Sequence, residues 1–561
     1  MKKKSTKAFF MLLLLAAGAC KKDIKSATSI SETTLPDSKK GTAQVAAIVH
    51  PGMLHTAADF TRMTQKVNAG AQPWLSGWNK LLANSHSSST YTMQGPTTYI
   101  IRGTTSLGSE NYPKVMNDAA AAYQNALRWK IAGTTANADK AIQILNAWAA
   151  TCVSIEGDAN GSLATGLYGY QLANAAEIMR GYSGWSSSDF NAFKTFMVNV
   201  FYTDANDFLV RHHGTCDTYI WANWDLCNMA TVLAIGILCD DQAKVDQAIN
   251  YFKSGVGNGQ IGRLVPFMFA DGLGQNQEAG RDQGHATLDI ALLGAFCQMS
   301  VNVGQDMFIY NPWNEPVSRV EAICEYTAKY NLNMDVPYTT YNNCDNVNQT
   351  VISSSGRGTV RPAWELVYNY FNKVRSRPMT YSGQFATQVR PEGGGGDYGT
   401  TSGGFDQLGF GTLTFTRDAA SQPIANGVYK VTNRASGKLL DNLGATADGA
   451  TIAQWASSTS NNQRWEFTYS GGYYKIKNVA VGKFMDSAGN TADGSQVKQW
   501  SSSTSTNQQW SVVSAGDGFY KIINRANGKC LDTGGGTANG SVMTFYGNNS
   551  SLNQVWTLNT P

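Results

Sequence analysis

Three times beyond residue 426 the chain repeats itself. The segments GVYKVTNRASGKLLDN, GYYKIKNVAVGKFMDS and GFYKIINRANGKCLDT each open a unit, and NNQRWEF, TNQQWSV and LNQVWTL each close one. The openings carry Asp441, Asp486 and Asp532, the closings carry Trp465, Trp510 and Trp556, and both series step by 45 and then 46 residues. A unit this short cannot bury an apolar face alone, so the three must share a core. Within each unit, short alternating apolar runs lie between Gly, Asn and Asp residues, which predicts strands and turns.

The preceding chain follows a different period. DAAAAYQNALRWKIAG, ADKAIQILNAWAATCV, ATGLYGYQLANAAEIMRGY, NMATVLAIGILCDDQAKVDQAINYFKSGV and HATLDIALLGAFCQMSVNVG all place apolar residues at helical spacing. Successive helices joined by loops predict an all-α toroid or barrel built from helical hairpins over residues 46–418. The expected architecture is therefore multidomain, an α/α toroid followed by an all-β domain over 425–561. With 561 residues, 42% of them hydrophobic and 11% aromatic, the chain has length and composition for more than one core. Its net charge is only +4, from 44 basic and 40 acidic residues, and no basic block follows the N-terminus. Nucleic acid is therefore not an expected partner.

At the N-terminus, MKKKSTK and AFFMLLLLAA form a basic region and an apolar run. The run is shorter than the ~20 residues that span a bilayer, as in an export signal. AAGAC then resembles a bacterial lipoprotein signal, with Ala17 where Leu is usual. The resemblance implies a lipoprotein signal over residues 1–20 in which Cys20 is lipidated and becomes the first residue of the mature protein, a flexible tether over 21–45, and an outer-membrane lipoprotein on the periplasmic or cell-surface face. Ordinary secretion is the alternative. In an exported chain cysteines can pair. Cys216 with Cys227, and Cys324 with Cys344, are near enough in sequence to be tested as pairs, whereas Cys239 and Cys297 fit apolar helical patterns as core residues. No CxxC or HExxH is present, so no metal and no cofactor is expected.

The C-terminal repeats, each closing on Q-x-W, resemble the ricin-type β-trefoil lectin, also used as a carbohydrate-binding module. In that family the Q-x-W tryptophan is core, and the sugar is held by the aspartate, an aromatic residue and a polar residue near the closing motif. The resemblance implies binding positions at Asp441, Trp455 and Asn462, at Asp486, Trp500 and Asn507, and at Asp532, Tyr546 and Asn553, with tyrosine replacing tryptophan in the last. Carboxylate and amide would grip hydroxyls while the ring covers an apolar sugar face.

HPGMLHTAADFTRMTQKVNAGAQPWLSGW, WANWDLCNM, QNQEAGRDQGH and GGGGDYGTTSGGFDQLGFGTL resemble the alginate lyase superfamily, most of all its α/α-barrel branch acting on alginate or glucuronan. The resemblance implies β-elimination on a 1,4-linked polyuronate, alginate first and glucuronan second. Such a reaction removes the proton on C5. It needs a neutralised substrate carboxylate, a base, and an acid for the leaving oxygen. If residues 275–285 begin a helix, Glu278, Arg281 and His285 share one face. Arg281 would pair the uronate, His285 would donate to it or move a proton, and Glu278 would donate if protonated or orient the other two if ionised. The structural alternative is a Glu278–Arg281 bridge on a helix surface.

RHHGTCDTYIWANWDLCNM is the second stretch of interest. The resemblance places the neutralising amide at Asn223 and the base at His213. His212 reads as a surface or capping residue, and Asp225 as an N-terminal helix carboxylate. For the acid, Tyr341 is preferred over Tyr338 on the NMDVPYTTYNN loop, with Tyr168 and Tyr170 as alternatives. EGGGGDYG lacks GK[ST], so it reads as a tight turn or a close approach to sugar. Two other readings stand beside the lyase. One is a glycoside hydrolase using Asp225, Glu278 or Asp282. The other is a non-catalytic surface glycan-binding lipoprotein. The expected partners are an acidic polysaccharide, a glycan on the trefoil and the membrane through Cys20, with the chain a monomer.

Overall fold

The computed structural model describes residues 48–375, 377–394, 397, 405–418, 423–470, 472–516 and 518–561. Cys20 and the segments expected to be an export signal and a tether lie outside the described residues.

Helices run α1 Ala57–Asn68, α2 Trp74–Ala83, α3 Pro113–Ala132, α4 Thr135–Thr151, α5 Ala159–Met179, α6 Ser187–Phe196, α7 Thr203–Arg211 and α8 Ala222–Leu238. They continue as α9 Gln242–Ser254, α10 Ile261–Leu264, α11 Gln283–Asn302, α12 Arg319–Asn331, α13 Trp364–Tyr368, α14 Thr380–Val389 and α15 Gly411–Thr414. Contacts alternate between an inner and an outer layer. α3, α5, α8, α11 and α13 touch in succession, while α4, α9, α12 and α14 back onto them. α15 meets α13, α1 and α2, and α1 meets α3, which closes the ring.

Local chemistry explains these elements. Thr56 and Asp59 form a reciprocal capping box on α1. Asp158, Asp241, Asp282 and Ser318 cap α5, α9, α11 and α12 through their side chains. α5 is buried from Gly161 to Met179 and therefore lacks a polar face. It packs closely on α8 because two glycines permit it. A Cβ at Gly166 would lie 2.2 Å from the Cys227 sulfur, and one at Gly169 would lie 2.6 Å from Thr231. Among the described residues no helix is long and apolar enough to cross a membrane.

Short strands decorate the loops: β1 Tyr99–Ile101 pairs in parallel with β2 Ser154–Glu156, whereas β3 Phe267–Met268 with β4 Gly274–Gln275 and β5 Tyr341–Asn342 with β6 Asn348–Gln349 are antiparallel.

The C-terminal repeats form twelve strands. They are β7 Gly427–Asn433, β8 Leu439–Asp441, β9 Ala453–Trp455, β10 Trp465–Ser470, β11 Tyr473–Asn478, β12 Phe484–Asp486, β13 Lys498–Trp500, β14 Trp510–Gly516, β15 Phe519–Asn524, β16 Cys530–Asp532, β17 Thr544–Tyr546 and β18 Trp556–Asn559. Pairings β7–β10, β10–β11, β11–β14, β14–β15, β15–β18 and β18–β7 close a barrel without an edge. Hairpins β8–β9, β12–β13 and β16–β17, bridged to one another, cap one end. This is a β-trefoil. Trp465, Trp510 and Trp556 are fully buried and donate their indole N–H to the carbonyls of Leu440, Met485 and Leu531 at 3.0, 3.0 and 3.2 Å.

The cysteine pairing differs from the sequence expectation. Cys216 is bonded to Cys344 across 128 residues, while Cys227 and Cys324 are free and buried. Cys227 faces α5 inside the helical core and Cys324 lies in the core on α12, so neither reaches its sequence neighbour. Cys297 is a core residue as expected, and Cys239 is half-buried at the end of α8.

Candidate functional site

The QNQEAGRDQGH stretch does not begin a helix. Gly274–Gln275 is strand, residues 277–281 turn, and α11 starts only at Gln283, capped by Asp282. The turn has a specific task, which is to satisfy the open N-terminus of α8. Glu278 accepts the Asn223 backbone N–H at 2.9 Å and Gln277 accepts that of Ala222 at 3.2 Å. Negative charge is favoured at that helix end. Asn276 holds the turn by accepting the Glu278 N–H at 2.8 Å.

The other Glu278 oxygen accepts Arg281 Nη1 at 2.9 Å. The i, i+3 pairing survives, but in a turn and with the carboxylate fully buried. It is therefore not a surface bridge. Arg281 is directed over Trp221 and Trp224, 5.2 and 5.6 Å from their ring centres. His285 stands in the first turn of α11, with Nδ1 2.6 Å from Asp282 Oδ2. Burial opposes the Asp282 charge, but bonds from the His285 side chain and backbone and the nearby Arg281 charge outweigh it and hold the carboxyl down at about 2.

Asn223 is 1% exposed, and neither its amide nitrogen nor its amide oxygen has a partner. Buried amides are rarely left so. The residue adjoins the Glu278–Arg281 pair through its backbone N–H on Glu278, and its side-chain amide has its full bonding capacity free. Asp289 is buried nearby, both its oxygens unpartnered, and burial together with the Glu278 charge pushes its carboxyl well up.

His213 follows α7 on a left-handed turn (φ 56°), is exposed, and lies 3.1 Å from Ser162 Oγ on the first turn of α5. His212 is the C-cap of α7, in a left-handed conformation with its backbone N–H on the Phe208 carbonyl, as one expectation had it, but it is not a surface residue. It is 2% exposed and 2.8 Å from Asp225, which also accepts the Tyr251 hydroxyl at 2.6 Å. Asp225, Glu278 and Asp282, the carboxylates of the hydrolase reading, each hold a basic partner.

The tyrosines separate clearly. Tyr341 lies buried in β5, not on an open loop, and donates to Asn258 Oδ1 at 3.3 Å. Asn258 in turn holds the carbonyls of Thr218 and Ile220, just before α8. Burial pushes the Tyr341 phenol up. Tyr338 packs into a small cluster with Leu273, Ala279 and Tyr326, donates to the Gln349 carbonyl at 3.0 Å, and is pushed up to about 12 by burial. Tyr168 and Tyr170 are buried in the core. The Cys216–Cys344 bond ties the His213 loop to the Tyr341 loop.

Other residues join the neighbourhood without a readable sequence pattern. Arg361, 4% exposed, donates to Gly284 O at 2.8 Å and to Gln407 Oε1 at 2.9 Å. Burial pushes the carboxyl of Asp406 up to about 6, against the pull of Arg361, Arg102 and His285. The glycine-rich stretch comes close to protein backbone: a Cβ at Gly409 (φ 73°) would stand 2.3 Å from the Gly393 carbonyl, so Gly409 is the residue that must lack one. Among the described residues no group of three or more His, Cys, Asp or Glu is placed to hold a metal.

In the trefoil, Asp441 and Asp486 are buried carboxylates fixed by the backbone N–H two residues on and by Gln463 and Gln508, each at 2.9 Å. Asp532 has the bond from Gly534 at 2.6 Å, while Gln554 donates to Gly547. Trp455, Trp500 and Tyr546 stand out at 42%, 41% and 36% exposure, and Asn462, Asn507 and Asn553 are half-buried in the turns before the core tryptophans.

The helical ring, with its buried Glu278–Arg281 pair, and the three-lobed barrel, with its exposed rings, each match a known family model. Residues 82–334 match the model described as alginate lyase, and residues 461–546 match that described as ricin-type beta-trefoil lectin domain-like. No curated protein matches the chain. Among solved structures, the designed threefold-symmetric protein ThreeFoil is 38% identical over 24% of this chain and 100% of its own, with TM-score 0.24. The exo-beta-1,3-galactanase 1,3Gal43A from Clostridium thermocellum is 32% identical over 27% of this chain and 33% of its own, with TM-score 0.24. The Macrolepiota procera ricin B-like lectin, solved with lactose, is 22% identical over 25% of this chain and 100% of its own, with TM-score 0.23.

Proposed function

We propose that the helical domain cleaves a 1,4-linked polyuronate by β-elimination, with alginate the first substrate to test and glucuronan the second. The observation that carries this reading is the partnerless buried amide of Asn223 beside Arg281. A substrate carboxylate would satisfy both amide and guanidinium, and withdrawing its charge would let the carbanion at C5 form. His213 is the base in this reading, and Tyr341 the acid that protonates the leaving oxygen. His285, oriented by Asp282, donates to the carboxylate or relays a proton. Glu278 fixes Arg281 as an acceptor. Tyr338 contributes by holding the loop that carries Tyr341. Cleavage should leave a conjugated double bond in the product, absorbing in the near ultraviolet. Formation of new reducing ends without that absorbance would refute the reading.

A pH effect follows from Asp406, pushed up to about 6 by burial. Above that pH its charge competes with substrate for Arg361 and Arg102, so kcat/KM on a polyanion should fall as pH rises through about 6. Asp406→Asn should remove that step from the profile, and a step that persists in the variant would assign it elsewhere.

The trefoil, in the same proposal, holds the enzyme on glycan through Asp441, Trp455 and Asn462 and through Asp486, Trp500 and Asn507. The third lobe, with Asp532, Tyr546 and Asn553, is the weaker site because a smaller ring covers less sugar. Trp455→Ala should weaken binding at its lobe roughly tenfold, as expected for loss of a stacked ring, without changing turnover of short oligomers. Equal binding by the variant in affinity electrophoresis would place the site elsewhere. The sequence alone further supports division into a signal over 1–20, a tether over 21–45, a lyase domain over 46–418 and a trefoil over 425–561, with export, lipidation at Cys20 and a monomeric chain.

A further inference from the structure

Guanidinium groups in the helical domain are mostly engaged by several partners. Arg319 bonds Glu315 and the carbonyls of Gly262 and Val265, and Arg417 bonds Asp59 and the carbonyls of Thr414, Phe415 and Thr416. Arg102 differs. It lies half-buried just after β1, and among the described residues its side chain makes one hydrogen bond, a long one, Nη1 to the Tyr168 hydroxyl at 3.5 Å. Among the described residues it makes no ion pair. Its guanidinium rests 4.4 Å from the centre of the Tyr112 ring, which stacks on Tyr168 with centroids 6.4 Å apart. Two tyrosines thus flank the cation, the buried Asp406 carboxyl lies within its electrostatic reach, and most of its donors make no hydrogen bond among the described residues.

Its surroundings connect it to the cleft. Thr104 N–H donates to Asp158 at 3.2 Å, and Asp158 caps α5. The carbonyl of the next residue, Ala159, accepts the Trp224 indole N–H at 2.9 Å. Trp224 is the residue over which Arg281 lies. Arg102 therefore stands across Trp224 and the start of α5 from the Asn223–Arg281 position.

We propose that Arg102 is a second carboxylate-binding position, taking the uronate of a sugar next to the one held by Asn223 and Arg281. This deepens the lyase reading and rests on it. A guanidinium offers a carboxylate two parallel bonds, and its seat against the tyrosines limits the rotamer freedom lost on binding. The consequence is selectivity for polymers charged at successive sugars.

Arg102→Gln in the full chain tests this on a polyuronate, on a partly carboxyl-reduced form of the same polymer, and by calorimetric titration with an oligouronate. Loss of a charge-assisted contact made equally in ground and transition states should raise KM about tenfold and leave kcat within about twofold. The preference for the fully charged polymer should shrink by a similar factor, and Arg102→Lys should recover part of it. Unchanged KM and affinity in a folded variant would overturn the proposal, as would an equal loss on both polymers. If the wild type forms no double bond on any polyuronate, the lyase reading falls. The titration then decides the subsite alone, with weaker binding by the variant upholding it and equal binding overturning it. The trefoil is the same in both proteins and cancels from that difference.

Discussion

Asn223→Ala is expected to lower kcat/KM on the polyuronate by about 10²- to 10³-fold, the usual cost of removing one preorganised donor from a site where negative charge develops. Its melting temperature should stay the same or rise. The second expectation gives the variant its force. The Asn223 amide has no hydrogen-bond partner in the protein, so truncation removes an unsatisfied polar group and breaks no bond. The helix itself is untouched, because Glu278 holds the Asn223 backbone rather than its side chain. Turnover and thermal unfolding measured on one preparation decide the matter. A large loss of stability would mean that the amide is structural. Full activity would remove Asn223 from the chemistry.

Glu278→Ala should have the opposite signature. Its carboxylate is fully buried and holds both Arg281 and the first turn of α8. Removing one member of a buried, hydrogen-bonded ion pair costs about 3–5 kcal/mol, so the variant should unfold at markedly lower temperature or denaturant concentration. Activity should fall with it, because Arg281 loses the group that aims it. Glu278→Gln retains an acceptor for the Asn223 N–H and should lie between. A Glu278→Ala protein that is as stable as the wild type and still active would show that the turn holds its shape by Asn276 and Gln277 alone.

Periodic features were legible in the sequence. The 45- and 46-residue repeat anticipated three like lobes, and the three core tryptophans appear at the same place in each. Helical spacing anticipated the α/α ring, because inner helices such as α5 and α8 need small residues where they cross and apolar residues elsewhere. The cluster Glu278, Arg281 and His285 was visible as a concentration of ionisable groups. Its geometry was not, since the backbone donors that the side chains of Gln277 and Glu278 accept belong to the start of α8, more than fifty residues earlier. The disulfide departs from sequence proximity for a related reason. Short sequence separation favoured Cys216 with Cys227, whereas α8 turns Cys227 into the core and β5 brings Cys344 to the surface loop of Cys216. Arg102, Arg361 and Asp406 show no pattern because each depends on residues that only the closed ring brings together.

The account rests most directly on the product. Purified full-length chain should be incubated with alginate, glucuronan and a neutral glycan while near-ultraviolet absorbance is followed, with Asn223→Ala alongside. Rising absorbance on one polyuronate, slowed at least about a hundredfold in the variant, is the predicted result. Cleavage of any of these glycans to new reducing ends without absorbance, or equal rates for the two proteins, would contradict it.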